Sequence, residues 1–229
     1  MKNLIVVPAY NEEGSIERTI ENIRKNAPDF EYIIVNDSSK DRTLAICREK
    51  HFPYLNLSVN LGIGGAVQAG MRWGLYHGYD TVVQFDGDGQ HDAAYLEEML
   101  QTLNETKADM VIGSRFIEKE GFQSSGIRRM GISYFSKLIK LLTGKRITDP
   151  TSGMRMISKR LLEEYVRAYP KDYPEPESAV TALAKGYKIV EIPVIMKERE
   201  EGKSSINLKA GFYYMIKVTV AIINARISR

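Results

Sequence analysis

Three aspartates stand within the stretch Asp86-Gly-Asp-Gly-Gln-His-Asp92, directly after the apolar run Thr81-Val-Val-Gln-Phe85. Side chains of an extended chain alternate with a period of two, so Asp86 and Asp88 point the same way and Gly87 adds no bulk between them. Two carboxylates side by side form a hard-cation site. Mg2+ or Mn2+ suits such a pair, because these ions use one or two carboxylates, keep waters and take further ligands from substrate phosphates. The ligands missing from the protein imply a phosphate-bearing substrate. Two other readings compete. Asp86, Asp88 and Glu97 fall at the first, third and twelfth positions of a calcium loop, but His91 replaces its required glycine and the preceding run reads as a strand, not a helix. An Asp- and Gly-rich stretch also makes ordinary solvated turns.

Carboxylates need a scaffold to aim them. "LIVVPAY" and "EYIIVND" are β-branched runs, and "SIERTIENIRKN" between them repeats apolar residues at helical spacing, which makes a β-α-β unit. A helix around "RTLAICREK", a strand at "LNLSVN", a helix over "GGAVQAGMRWGLYHG" and the strand "TVVQF" follow. The alternation predicts an α/β fold with a mainly parallel sheet covered by helices on both faces. Such sheets bind ligands at the carboxyl ends of their strands. "PAYNEE", "NDSSKD", "NLGIGGA" and "DGDGQHD" follow the first four strands, so four separate segments deliver polar groups to one edge. "NLGIGGAVQAG" lies after the third strand and lacks both the first-turn placement of a dinucleotide fingerprint and the Gly-Lys-Ser/Thr ending of a P-loop. Gly62, Gly64 and Gly65 instead permit close backbone approach to a ligand or a tight helix entry.

The 229 residues suffice for one sizeable core, and a net charge of +3 is too small to indicate a nucleic-acid partner. Cys47, the single cysteine, fits a reducing compartment and reads as a packing residue. Few apolar residues precede Pro8, too few for a signal-peptide core or a membrane span. Catalysis is therefore expected on the cytoplasmic side.

In their order and spacing, "PAYNEE", "VNDSSKD", "NLGIGGA", "DGDGQHD", "GSRF", "DPTSGMR" and "REEGKSS" resemble the motifs of family-two inverting glycosyltransferases with the GT-A fold. The likeness spans nearly the whole chain and points to the branch of dolichol-phosphate-mannose synthases and polyprenyl-phosphate glycosyltransferases. It implies that Pro8, Ala9, Tyr10, Glu12 and Asp37 frame the base and ribose of a nucleotide sugar, with Gly64 also at the donor, while Asp86 and Asp88 hold the metal on its diphosphate. Gln90 would lie near the sugar or metal, and His91 would either act there or cap the following helix. Asn36-Asp37-Ser38-Ser39 stands where the family commonly has Asp-Asp-Gly-Ser, so an aspartate and a glycine are replaced. Asp149, Ser152, Gly153 and Arg155 resemble the family's motif at the active-site wall.

The downstream half bears on the acceptor. Arg115, Arg128, Arg129, Arg199 and Lys203 come from separated segments and match the branch's motifs, which points to contacts with an acceptor phosphate. A phosphate monoester is largely ionised near neutral pH and attacks without full general-base help, whereas a sugar hydroxyl needs a base. "DYPEPESAV" supplies Glu175 and Glu177 for that role, Glu177 preferred, so the catalytic set comprises Asp88, Arg115, Glu175 and Glu177. In the tail, Lys209, Tyr213, Lys217, Asn224 and Ser228 form a polar stripe opposite an apolar arc, the pattern of an interfacial helix or of a helix packed on its own core. The resemblance implies C-terminal spans in many members of this branch, and none is expected from the residues of this tail. The expected organisation is a catalytic domain over 1–205 and an amphipathic helix over 206–229. That helix, a homo-oligomer mate or a small membrane protein would bring the enzyme to the inner face of the cell membrane. The expected activity moves a sugar from UDP-glucose or UDP-N-acetylglucosamine to undecaprenyl phosphate. The alternatives are transfer to a saccharide hydroxyl, a non-catalytic nucleotide-sugar binder and a nucleotidyltransferase.

Overall fold

β1 (Asn3–Ala9) is buried along its whole length and divides the core in two. Leu4 and Val6 project into one apolar layer, Ile5 and Val7 into the other, as the period-two rule requires of a strand covered on both faces. The computed structural model describes residues 1–118, 120–121, 126–197 and 208–227. Around β1, the described strands β2 (Glu31–Asn36), β3 (Tyr54–Asn56), β4 (Thr81–Gln84), β5 (Met110–Ser114), β6 (Arg155–Ser158) and β7 (Ile189–Pro193) form one sheet in the order β3-β2-β1-β4-β6-β5-β7. Only β6 runs antiparallel to its neighbours, β4 and β5. The predicted third strand, "LNLSVN", is shorter than its apolar pattern suggests: pairing with β2 ends at Asn56.

Helices α1 (Ile16–Asn26), α2 (Thr43–Glu49) and α4 (Leu96–Thr106) cover the Ile5 and Val7 face. Cys47 of α2 lies in that layer with its thiol pushed up to about 11 by burial, an unreactive packing residue. Helices α3 (Gly62–Tyr76), α5 (Gly126–Thr143), α6 (Lys159–Arg167), α7 (Pro174–Ala184) and α8 (Leu208–Ile227) cover the other. α3 lies close against β1 because Gly70 faces Val6: a Cβ there would stand 2.3 Å from Val6 Cγ1.

The polar stripe expected on α8 does not face solvent as a unit. Lys217 donates to Asp172 at 2.9 Å and lies over the Tyr173 ring, at the entry of α7. Val218 and Ile222 are buried in the core, while a second apolar line, Ile216, Val220, Ile223 and Ile227, is exposed. The apolar arc thus divides between the protein's own core and the outside. Ser228 and the side chains of Lys209 and Tyr213 lie outside the described residues.

Candidate active site

The chain steps outward from β1 to β2 and β3, then returns to place β4 on the opposite side of β1. Such a reversal leaves a crevice at the carboxyl ends of the two central strands. Here it is a cleft of about 340 Å³ lined by Pro8, Ala9, Tyr10 and Glu12 after β1, Asp37 after β2, Asn60, Gly62, Ile63 and Ala66 around the start of α3, and Asp86, Gly87 and Asp88 after β4.

Short polar side chains lock these loops together. The Asn11 N–H donates to Ser39 Oγ and its Oδ1 accepts from the Lys40 N–H, while the Glu12 N–H donates to Thr43 Oγ1 at 2.8 Å. Asp37 is buried: its N–H donates to the Ala9 carbonyl, and its Oδ1 accepts from the Leu61 N–H at 2.7 Å. It therefore ties the ends of β1 and β2 to the entry of α3. Ser38, which replaces the family's glycine, sits at φ +59, the left-handed region that costs an L-residue free energy. Asn36 donates from Nδ2 to Asn56 Oδ1.

Beyond β4 the chain kinks through Gly87, whose carbonyl accepts from Ser15 Oγ and Thr19 Oγ1 of the α1 entry, and through Gly89 at φ +77. Asp86 is fitted from two sides. Gln84 Nε2 reaches Asp86 Oδ1 at 3.3 Å and Glu175 Oε1 at 3.2 Å, so one amide bridges the two carboxylates. Opposite, a Cβ on Gly153 would stand 2.3 Å from Asp86 Oδ2, and only glycine leaves the carboxylate its place. Asp88 Oδ1 accepts from the Gln90 N–H, which turns the loop back. Asp86 and Asp88 are hard oxygen donors on one cleft wall, with the Gly153 cradle shaped to one of them, and so they fit a divalent cation. Among the described residues no group of three or more His, Cys, Asp or Glu side chains is arranged to hold a metal alone.

His91 braces this loop from below. Its Nδ1 accepts from the Asp86 N–H at 3.2 Å, which places the ring proton on Nε2, 3.7 Å from Asp86 Oδ2. Burial, helped by the Arg115 charge, lowers its pKa to about 4 against the pull of Asp88, so the ring is neutral near pH 7.

The acidic pair of α7 separates by place. Glu175 lies beside Asp86 through Gln84, and its pKa is raised by burial and by the Asp86 charge, against the lowering effect of Arg155. Glu177 is raised by burial and by Asp172, away from the two aspartates. Glu175, rather than the preferred Glu177, is the one joined to Asp86, through the Gln84 amide. Arg155 holds this corner: Nε donates to the Ser152 carbonyl, Nη2 to that of Pro150 and Nη1 to that of Glu175 at 2.6 Å.

Other expected residues take different places. Arg115 is committed inward, with Nε and Nη2 in a two-pronged pair to the fully buried Asp149 at 2.7 and 2.8 Å. That pairing leaves much of its charge answered before any acceptor arrives. Gly64 does not line the cleft; a Cβ there would stand 2.1 Å from the Pro170 carbonyl, so its smallness serves the contact of α3 with residues 170–171. Gln90 directs Nε2 to the Lys197 carbonyl and its own carbonyl accepts from the Lys197 N–H, a clamp on that segment. Arg128 and Arg129 are exposed on the first turn of α5. Arg199 and Lys203 lie outside the described residues.

Two site residues had weaker signals. Gln84 is the polar residue inside the apolar strand "TVVQF", two positions before Asp86 and hence on the same face. Glu191, in "IVEIP", accepts from the N–H groups of Thr148 and Asp149 and from Thr148 Oγ1, and so holds the turn that carries Asp149. Nothing in one sequence pairs Glu191 with that turn.

Comparison with known proteins fits this geometry. The sequence model described as Glycosyl transferase family 2 matches residues 4–166. An undecaprenyl-phosphate mannosyltransferase of Micrococcus luteus is 32% identical over 216 residues, covering 90% of this chain and 88% of its own. A UDP-N-acetylglucosamine–dolichyl-phosphate N-acetylglucosaminyltransferase of Methanococcus voltae is 30% identical, covering 83% of each chain. Among solved structures, glucosyl-3-phosphoglycerate synthase from Mycobacterium tuberculosis, in complex with Mn2+ and UDP-glucose, has the same fold: TM-score 0.72 at 18% identity, over 98% of this chain and 78% of that one.

Proposed function

The chain belongs to glycosyl transferase family 2, with the GT-A architecture, and on that premise we propose that it moves one sugar from a nucleotide sugar to a polyprenyl phosphate with inversion at the anomeric carbon. The observation that carries the donor half is the convergence of Pro8, Ala9, Tyr10, Glu12, Asp37, Asp86 and Asp88 on one cleft. The acceptor half draws on the relatives named for undecaprenyl and dolichyl phosphates and on the exposed Arg128 and Arg129. The proposed donors are UDP-glucose and UDP-N-acetylglucosamine; the sugars in the relatives' names, mannose and N-acetylglucosamine, make GDP-mannose the competitor to test against them. We assign catalysis to residues 1–205 at the inner face of the cell membrane, reached through the 206–229 segment, a second copy or a small membrane protein.

In this mechanism the walls after β1 and β2 hold the nucleoside, and Asp37 keeps both loops and the α3 entry in register. Asp86 and Asp88 would hold Mg2+ or Mn2+, which when bound offsets the charge developing on the departing nucleoside diphosphate. Gln84 and Gly153 keep Asp86 in its place, and neutral His91 braces the loop without adding charge. Arg128 and Arg129, with Arg199 and Lys203, receive the acceptor phosphate, whose own oxygen is the nucleophile.

One observation favours a second reading. Glu175 is a carboxylate beside the proposed metal ligands with its pKa raised by burial, the setting of a general base for a hydroxyl acceptor. Glu175→Gln separates the two. With polyprenyl phosphate as acceptor the variant should retain turnover within about tenfold, because no base is needed; with a hydroxyl acceptor the loss should be about 10²–10⁴-fold. Glu177→Gln should change neither. The readout is nucleoside diphosphate released per minute with and without acceptor, and a loss in the larger range with polyprenyl phosphate would overturn the base-free mechanism.

A further inference from the structure

The strand registers place four residues on one rung of the sheet. Gln84 of β4 lies opposite Arg155 of β6, Arg155 opposite Ile112 of β5, and Ile112 opposite Glu191 of β7. Residues paired across a rung project to the same face. Here it is the face of Leu4 and Val6, in whose apolar layer Ile112 lies. Three of the four are polar or charged, and Gln84 and Arg155 are almost wholly buried. Burying such groups costs free energy that hydrogen bonds must offset, so a row of them across a core calls for a use.

Each member of the row spends its bonds on a segment that walls the site. The Gln84 amide bridges Asp86 and Glu175. Arg155 donates to four neutral oxygens: the carbonyls of Pro150, Ser152 and Glu175, and Ser178 Oγ. Glu191 accepts from the Thr148 N–H at 2.7 Å and from Thr148 Oγ1 and the Asp149 N–H, both at 2.9 Å. Gln84 and Arg155 therefore converge on Glu175, while Arg155 and Glu191 converge on the turn of residues 148–153. That turn ends at Gly153, packed against Asp86 Oδ2.

Glu191 is the informative member, because it does not line the cleft and reaches it only through the turn. Without its carboxylate the N–H groups of Thr148 and of the fully buried Asp149 lose their acceptor, and the turn must shift to find another. Gly153 leaves Asp86 no slack, so a shift of the turn passes to the carboxylate.

We propose that Gln84, Arg155 and Glu191 form one positioning row beneath the site, in which Glu191, at the far end, sets the place of Asp86 through the 148–153 turn. The inference rests on the proposed cation at Asp86 and Asp88 and does not depend on the acceptor.

The test is calorimetric titration of the full chain with UDP and with GDP, each in EDTA and in Mn2+. Wild type should bind one of the two nucleotides more tightly in Mn2+ than in EDTA. Glu191→Gln keeps the side chain's size but turns one acceptor oxygen into a donor. It should lose roughly tenfold or more of the Mn2+ enhancement, the scale on which partners of metal ligands act, while binding in EDTA stays as in wild type. Thr148→Val removes the hydroxyl and keeps both backbone bonds to Glu191, and should lose less in the same sense; if Glu191→Gln melts below the assay temperature, this milder variant decides alone. Asp109→Asn controls for a merely structural effect. It removes a carboxylate that accepts from the Lys188 N–H at the approach to β7 without touching the turn, and should keep the full enhancement. Wild-type enhancement in both Glu191→Gln and Thr148→Val, or an equal loss in Asp109→Asn, would overturn the positioning role. A wild type that gains nothing from Mn2+ with either nucleotide would instead sink the cation reading at Asp86 and Asp88, and this inference with it.

Discussion

Asp86 is confined to the position that Gly153 and Gln84 leave it. A methyl group at residue 153 would lie 2.3 Å from its Oδ2, and since the residue 153 backbone is buried, the Asp86 carboxylate is the group that must move. Gly153→Ala should therefore displace the carboxylate more than it disturbs the fold. We expect turnover at fixed Mn2+ to fall by about 10²-fold, the scale set by a lost electrostatic contact at the transition state, with little change in melting temperature. Initial rates over a Mn2+ series with a thermal melt check this, and wild-type turnover at every metal concentration would contradict it. At this scale the sequence was informative wherever spacing alone fixes direction: Asp86 and Asp88 share a face because strands alternate. It was uninformative where two distant segments must meet. The identity of residue 153 as glycine acquires its reason only from Asp86, 67 positions away. Arg115 looked like a phosphate ligand because its partner, Asp149, reads as a turn residue until the fold brings the two together.

The elements hold their places through a few buried carboxylates. Asp109, at the entry of β5, accepts from Arg160 Nε at 2.8 Å and from the Lys188 N–H at 2.9 Å, with Ser158 Oγ at 3.3 Å, and so joins β5, the β6–α6 junction and the approach to β7. Burial works to raise its pKa, but Arg160 and these donors prevail and lower it. A folded-state pKa below the unfolded one contributes stability at pH above the unfolded value of about 3.9 and loses it as the pH falls through the folded one. Asp109→Asn should thus destabilise the protein by roughly 1.5–3 kcal/mol near pH 7, and the gap from wild type should narrow below about pH 4. Urea unfolding at several pH values measures this; a gap independent of pH would show that the charge contributes nothing. Element types were legible from pattern: β1 is a short β-branched run closed by a turn signal, and α1 repeats apolar residues at helical spacing. The antiparallel insertion of β6 between β4 and β5 was not, since pairing order depends on which faces the later helices cover. The one-sided burial of α8 was hidden too: its sequence is apolar on most sides, and only contact with α5 and α7 tells which side is spent on the core.

The whole molecule separates its charges. The cleft at the strand ends is acidic at Glu12, Asp37, Asp86 and Asp88, while α5 and α8 carry cations beside an exposed apolar face. On the proposed function a polyprenyl phosphate would meet the cationic side and a nucleotide sugar the cleft. The small net charge in the composition concealed this division, because opposite excesses cancel in a sum. The central claim is transfer to a lipid phosphate, and its most direct measurement uses vesicles containing undecaprenyl phosphate, Mg2+ or Mn2+, and UDP-glucose, UDP-N-acetylglucosamine or GDP-mannose labelled in the sugar. The account predicts that one donor sends its label into the organic phase, and only when both undecaprenyl phosphate and the divalent cation are present. Label confined to a water-soluble product, or organic-phase label that forms equally without undecaprenyl phosphate, would contradict it.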